Sequence, residues 1–386
     1  MAWHFWPALA EDDTLIVPAP PPDSFLESMR ACGLRPPRFA VSGSGVPPQS
    51  GPHEFSPASF DPSARFTPFG WNRDAYNINA KRALPAPAPD PVVVKRVNSR
   101  EFSLVKEREN FGVEACPAWF CATSTDIEIW LKSAAPGRYV AKGNHGLAGI
   151  GQFRFEIRPV FDQKTQVEAT LKTLGRLCQR MGGVVLEVEQ KVLAEFGVLF
   201  RVGKSGIKST IRVHHLLSEK DGKYSGALIA ASGEKDPILD PWRKNIEESV
   251  DRIASLLCEE GYAGPVGVDM YAFEKDRRAC FRSLVDLNAR CSMAWPVHGL
   301  AQCFRDRAVM IQQVPSSKIF SEKKFDAMTN ITNKLFFDQK TRRGVIHLTP
   351  LPALKRHSLA FVGNDVADVT GVCKTTLELL ALKGKL

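Results

Sequence analysis

Residues Gly267–Arg290 read GVDMYAFEKDRRACFRSLVDLNAR. Two apolar runs flank a charged turn, and each run carries a polar residue where a half-buried strand would carry an apolar one. Side chains alternate faces along a strand, so Asp286 and Asn288 share one face while Val285 and Leu287 share the other. With Glu274–Arg278 as the turn, Asp269 falls nearly opposite Asp286. Three oxygen-bearing side chains then meet on one sheet face. Such a cluster is costly to bury unless a cation neutralises it, and oxygen ligands of this kind suit Mg²⁺.

The chain around this hairpin has 386 residues, enough for two or three domains. Its net charge of +9 is uneven. Residues 1–90 hold 7 Lys and Arg against 9 Asp and Glu, which leaves +11 on the remainder. A basic remainder fits an anionic partner such as a nucleotide, an acidic substrate or nucleic acid; a solvated basic surface is the plainer reading. The nine cysteines form no CxxC pair and read as reduced thiols of a cytoplasmic protein. The start, MAWHFWPALAEDD, lacks the basic and apolar regions of a signal peptide, and no apolar run of about 20 residues exists to span a membrane.

Of 27 prolines, 17 lie in residues 1–91. Between them, Thr14–Val17 and Arg38–Val41 read as strands and Pro22–Gly33 as a helix. Residues 42–69 read as a long loop, Asn72–Ala83 as a helix and Pro85–Pro89 as a stiff connector. Val92–Val94 reads as a buried strand and Ser99–Phe111 as a helix. Strand–helix alternation argues for a small α/β domain. The middle reads as antiparallel α+β. Strands are expected at Arg138–Ala141, Gln152–Ile157, Gly183–Val188, Phe196–Val202 and Ile207–Val213. Amphipathic helices are expected at Gln163–Met181 and Trp242–Glu260. Beyond about 310, helices over 321–336 and 365–381 and strands near 344–348 and 358–362 are expected.

Tyr139–Gly151, YVAKGNHGLAGIG, is the second informative stretch: a strand ends in Lys142 and four glycines follow in nine residues. Glycines let backbone N–H groups face an anion, and the lysine adds a point charge, which reads as a phosphate-covering loop. The plainer reading is a flexible hairpin with an exposed lysine. Gly197…Gly203-Lys204-Ser205 imitates a Walker A loop, but five residues separate its glycines and no helix follows, so it reads as a hairpin turn. Glu187, Glu189 and Glu195 stand at or just beyond a strand end, where carboxylates can accept from ribose hydroxyls. His145, His214 and His215 are candidate acid–base groups, although lone histidines are more often structural. Zinc spacing, a GxSxG elbow and GxGxxG are all absent.

Taken in order, these pieces resemble the ATP-grasp superfamily over roughly residues 92–300. The resemblance implies an ATP-grasp fold of mixed α+β and α/β class. It places an N-terminal α/β domain at 1–112 and an ATP-clasping domain at 113–309, with a small lobe over 113–188 and a large lobe over 189–309. A C-terminal α/β section over 310–386 would pack on the large lobe. Lys142 resembles the lysine that contacts nucleotide phosphates, and Gly143–Gly151, with Gly146, Gly149 and Gly151, resembles the loop that closes over them. Glu187, Val188 and Glu189 resemble the hinge that holds adenine, and Glu195 the ribose carboxylate. Asp269, Asp286 and Asn288 resemble magnesium ligands; the middle one is usually Glu, so Asp286 is one methylene short. Arg290 resembles the arginine that supports the reacting acyl phosphate. Arg100 stands nearest to a further family lysine, with the charge kept and the geometry changed. The N-terminal segment, with its Phe69-Gly-Trp-Asn72 loop, resembles that of carboxylate–amine ligases acting on amino acids and peptides.

The implied cofactors are ATP and Mg²⁺, one ion or two, with Mn²⁺ able to substitute. The implied activity is an ATP-dependent ligase joining a small carboxylate to an amine. A homodimer is compatible with this; nucleic-acid and membrane partners are not expected. Two alternatives stand beside it: a kinase acting on a hydroxyl, and a non-enzymatic nucleic-acid binder, for which no RNP, zinc or helix-turn-helix pattern is present.

Overall fold

The structure is a computed structural model that describes residues 2–41, 65–82, 88–112, 117–147, 150–158, 163–207, 209–219, 222–315, 337–350 and 356–382. Gly149, the helix expected over 321–336 and most of the loop expected over 42–69 lie outside the described residues.

The chain begins with a 3-10 segment, Ala2–Ala8. Strands β1 (Thr14–Val17) and β2 (Arg38–Val41) then pair in parallel around helix α1 (Asp23–Ala31), as a βαβ crossover requires. Helices α2 (Arg73–Arg82), α3 (Pro91–Val97) and α4 (Arg100–Phe111) follow. Helix α3 corrects the strand expected at Val92–Val94. Its β-branched run suggested a strand, but Asp90 accepts from the Val92 N–H at 2.7 Å and Pro91 occupies the first helical position. An N-cap followed by proline starts a helix whatever the β propensity of the next residues.

A four-stranded antiparallel sheet comes next. It is built from β3 (Ala118–Cys121), helix α5 (Ser124–Ser133), β4 (Gly137–Leu147), β5 (Ile150–Ile157), helix α6 (Gln163–Met181) and β6 (Val184–Val188), in the order β3-β6-β4-β5. Thr123 and Asp126 form a reciprocal capping box that starts α5. Leu174, Leu177 and Cys178 of α6 close over the sheet with Ile127 and Trp130 of α5.

The third sheet carries the hairpin. Its elements are β7 (Lys191–Gly203), β8 (Gly206–Ile207), β9 (Arg212–Ser218), β10 (Tyr224–Ile229), helix α7 (Arg243–Glu259), β11 (Gly264–Lys275), β12 (Arg278–Asn288), helix α8 (Trp295–Cys303), β13 (Ala308–Pro315), β14 (Gly344–His347), β15 (Arg356–Gly363) and helix α9 (Val366–Leu382). Strand order is β12-β11-β7-β9-β10-β13-β15-β14, with β8 pairing on β7. Strands β13, β14 and β15 therefore continue the sheet that holds Asp269 and Asp286. Strands β7 and β8 turn at Lys204-Ser205, so the Walker A imitation is a two-residue hairpin. Among the described residues no helix is long and apolar enough to cross a membrane.

Two apolar layers flatten this sheet. Ile246, Val250, Ile253 and Leu257 of α7 recur at helical spacing and meet Phe196, Val198, Phe200, Val266, Val268 and Met270. On the opposite face, Val297 and Leu300 of α8 pack with Trp6, Leu199 and Val309. Helix α4 bridges the two larger sheets. Its Phe102 enters the α7 layer, while Leu104, two residues on and so nearly opposite around the helix, packs on Ala118 and Val185 of the small sheet.

Candidate active site

Strand register builds the floor of the cleft between the two larger sheets. The β11–β12 hairpin turns at Asp276 and Arg277, both left-handed (φ 51° and 60°), which matches the primed turn that suits the twist of paired strands. That register puts Asp269 directly opposite Asp286 and Gly267 opposite Asn288. On its other edge β11 sets Asp269 beside Gly197 and Gly267 beside Leu199, and β9 sets His214 beside Gly197 and Arg212 beside Leu199. Directly paired residues share a face. One row across the sheet is thus Asp286, Asp269, Gly197, His214, and the next is Asn288, Gly267, Leu199, Arg212. A Cβ on Gly197 would lie 2.1 Å from His214 Nε2, so the imidazole lies over the glycine, in the same row as Asp269.

Apart from Arg212, these rows, with residues of the small sheet, line one cleft of about 240 Å³. It gathers Arg100, Lys142, Glu187, Val188, Glu189, Glu195, Asp269, Asp286, Asn288 and Arg290, residues drawn from positions 100 to 290. Gly146 and Gly151 are not among its walls. Strand β4 runs on through Leu147, with Gly143 paired to Val184 and Leu147 to Ile150 and the register broken between Lys142 and Leu147. Two of these glycines permit close packing: a Cβ on Gly143 would stand 2.6 Å from Met181 Cγ, and one on Gly151 3.0 Å from Met181 Cε.

Every cation of the cleft has an internal partner. Lys142 Nζ lies 2.7 Å from Glu187 Oε2, and Arg282 of β12 reaches the same oxygen at 3.1 Å. Arg282 also holds Glu107 of α4 with a forked set of bonds at 2.8–3.0 Å. Burial alone would raise the Glu187 carboxyl, but the charges of Arg282 and Lys142 outweigh it and hold the group at about 2. The Glu187 side chain is thus held in this ion cluster at the cleft wall, and Val188 and Glu189 continue the same wall. Glu189 pairs with Arg138 and Arg154 at the rim.

At the far end Arg100 donates from Nη2 to Asp286 Oδ2 at 2.8 Å and from Nη1 to the Gly143 carbonyl at 2.5 Å. Arg290 donates to Asn288 Oδ1 and to the Cys291 carbonyl, and its guanidinium lies 5.1 Å from the Phe69 ring centre. The Phe69-Gly-Trp-Asn72 loop is fastened there by the Cys291 N–H bond to the Phe69 carbonyl.

Asp269 keeps some contact with the cleft, yet burial pushes its carboxyl well above the usual carboxylate range, and the Asp286 charge pushes it further. Tyr224, whose hydroxyl donates to the Met293 carbonyl, is raised by burial and then by Asp269. A carboxyl whose charge is disfavoured by burial and by a neighbouring carboxylate marks a site where a cation is stabilising. Asp269, Asp286 and the Asn288 amide oxygen form a hard oxygen set fit for Mg²⁺. Among the described residues no group of three His, Cys, Asp or Glu is gathered for a metal, so remaining ligands would come from elsewhere, as is usual where Mg²⁺ arrives with phosphates.

Of the three histidines, His214 enters the cleft; its Nδ1 lies 3.0 Å from His298 Nε2 and burial drives it down to about 3. His215 turns to the opposite face and meets Asp236 at 2.5 Å, while His145 is exposed. Sequence reasoning missed Gly197, Tyr224, Arg282 and Glu107. A signal existed for Gly197, a glycine interrupting a β-branched and aromatic strand, which marks a close approach.

No family profile matches this sequence, and no curated protein matches it. Solved structures do. Carboxyaminoimidazole ribonucleotide synthase from Aspergillus clavatus complexed with ATP gives a TM-score of 0.52 at 10% identity, covering 98% of this chain and 99% of that one. N5-carboxyaminoimidazole synthetase from Staphylococcus aureus with ADP gives 0.53 at 11%, covering 96% and 100%. Biotin carboxylase from Campylobacter jejuni gives 0.52 at 11%, covering 82% and 78%. The chain has the ATP-grasp fold.

Proposed function

We propose that the protein is an ATP-dependent carboxylate–amine ligase that works through an acyl phosphate. The observation that carries this reading is the strand register, which aligns Asp269 with Asp286 and Gly267 with Asn288 under Lys142 and Arg290 in one cleft. In the proposed reaction a substrate carboxylate attacks the γ-phosphorus of ATP, and ADP leaves. An amine then attacks the acyl carbon, loses a proton and expels phosphate. Mg²⁺ drawn to the Asp269–Asp286 pair would supply positive charge to the phosphate oxygens.

The chain's own groups would do the rest. Lys142 faces the phosphates from the small sheet, with Glu187 fixing its ammonium. Arg290, set by Asn288 and Phe69, meets charge that develops on the acyl phosphate. Val188 and Glu189 offer backbone groups to adenine, and Glu195 offers its carboxylate to the ribose. The two sheets exclude water that would hydrolyse the intermediate.

ATP-dependent phosphate release, screened over pooled carboxylates with and without pooled amines, tests the proposal. Bicarbonate belongs in the pool, since the matched proteins include a biotin carboxylase. Phosphate release that requires both a carboxylate and an amine is expected. A stable phosphorylated hydroxyl product would establish the kinase instead, and absence of any ATP turnover or binding would end both readings.

A further inference from the structure

The hairpin cluster has room for a question of stoichiometry: one divalent cation or two. A second ion bridging Asp286 and Asn288 would find one Asp286 oxygen and the Asn288 amide oxygen already engaged. Asp286 Oδ2 accepts from Arg100 Nη2 at 2.8 Å, and Asn288 Oδ1 accepts from Arg290. Mg²⁺ binds its oxygens at about 2.0–2.1 Å and demands a near-octahedral shell. A guanidinium on the same oxygen takes up one side of that shell.

Arg100 is not free to step aside. It is the first residue of α4, whose start is fixed by the Ser99 side chain accepting from the Phe102 N–H. The neighbouring turn is held as well, since Asn144 Oδ1 accepts from the Glu101 N–H at 3.0 Å. The second arm of the guanidinium is bound to the Gly143 carbonyl, and the side chain is only 6% exposed. Displaced from Asp286, it would be a buried charge facing an incoming dication. The short Asp at position 286 keeps its carboxylate within this grip. The charge balance agrees: two carboxylates face two arginines.

We propose that Arg100 takes the place of the second divalent cation, so that this cleft binds a single metal ion, on the Asp269 side, together with the nucleotide. Its buried Nε, which finds no acceptor within the protein, is the donor left to meet a phosphate oxygen. This proposal rests on the ligase reading only in assuming that a metal–nucleotide complex binds here.

Mn²⁺ with a non-hydrolysable ATP analogue tests it by metal counting and electron paramagnetic resonance. Wild-type protein is expected to retain one Mn²⁺ with an uncoupled six-line spectrum. Arg100→Gln, which frees Asp286, is expected to take up a second and show the exchange coupling of a close pair. Two coupled ions in the wild type would overturn the proposal and leave the ligase reading standing. An unchanged single ion in Arg100→Gln would overturn the role given to the arginine. Failure of any nucleotide-dependent Mn²⁺ retention would remove the ligase reading and the proposal with it. If Arg100→Gln does not fold, the wild-type spectrum decides alone.

Discussion

Replacing Glu187 by glutamine isolates the ion cluster that joins the sheets. The change keeps the shape of the side chain and removes the anion between Lys142 and Arg282. In the folded protein the carboxyl is held at about 2, against an ordinary 4.5. At about 1.4 kcal/mol per tenfold change in proton affinity, that interval corresponds to about 3 kcal/mol of folded-state stability at neutral pH. Loss of one partner of a buried ion pair gives an independent figure of about 3–5 kcal/mol, in agreement. A depressed carboxyl stabilises the fold above its unfolded value and ceases to do so as pH falls through its folded value. Wild type and Glu187→Gln should therefore differ by about 3 kcal/mol at pH 7 and converge between about pH 4.5 and pH 2. Urea unfolding followed by tryptophan fluorescence reads this as a midpoint shift of about 1 M, for a slope of about 3 kcal/mol per M. A difference under about 1 kcal/mol at pH 7, or one that does not close in acid, would refute the placement of Glu187 between two cations.

Lys142→Ala should lower turnover by about 10²–10³ while leaving the circular dichroism spectrum intact, because one phosphate-facing charge is lost and Glu187 keeps Arg282. Gly143→Ala should cost about 1–3 kcal/mol, because its Cβ would press on Met181 Cγ and Cβ; adding Met181→Ala should restore part of the loss, as thermal melts of the three variants would show. Asp269, raised by burial and by Asp286, favours the metal-free fold below the ordinary carboxylate range and loses that contribution as pH rises through its elevated value. Asp269→Asn should therefore melt higher than wild type at pH 8 without metal, while losing the stabilisation that Mg–ATP gives the wild type.

The hairpin was legible because its information is local. Period-two alternation, a charged turn and two acidic interruptions lie within 24 consecutive residues, and register follows from the turn. The amphipathic helices α6 and α7 were legible for the same reason. The valines of α3 misled because propensity is a weaker signal than an Asp-Pro start. The packing of Gly143 and Gly151 on Met181 was not legible, because a glycine looks the same in sequence whether it admits a phosphate or a neighbouring side chain. Nothing near Glu187 in the sequence announces Arg282, since the two meet only after the 94 residues between them have folded. Strands β10 and β13 went unread because central strands buried on both faces carry little alternation.

Helix α4 meets the hairpin at two points two turns apart, Arg100 on Asp286 and Glu107 on Arg282, and Arg282 in turn secures Glu187. During synthesis Glu107 and Glu187 are made long before the guanidinium that lies between them. Until residue 282 emerges, closing the small sheet on α4 would bring two carboxylates together in a drying interface, with Lys142 offsetting Glu187 but Glu107 still lacking the Arg282 guanidinium. Docking of these elements is therefore expected to tighten with the hairpin, and the cleft to be among the last parts of the molecule to assemble. Such a long-range contact slows folding through a closure entropy that grows with the logarithm of the chain it must close. A ribosome-bound or truncated chain ending before β12 should hold the small sheet folded but undocked, with α4 open to proteolysis.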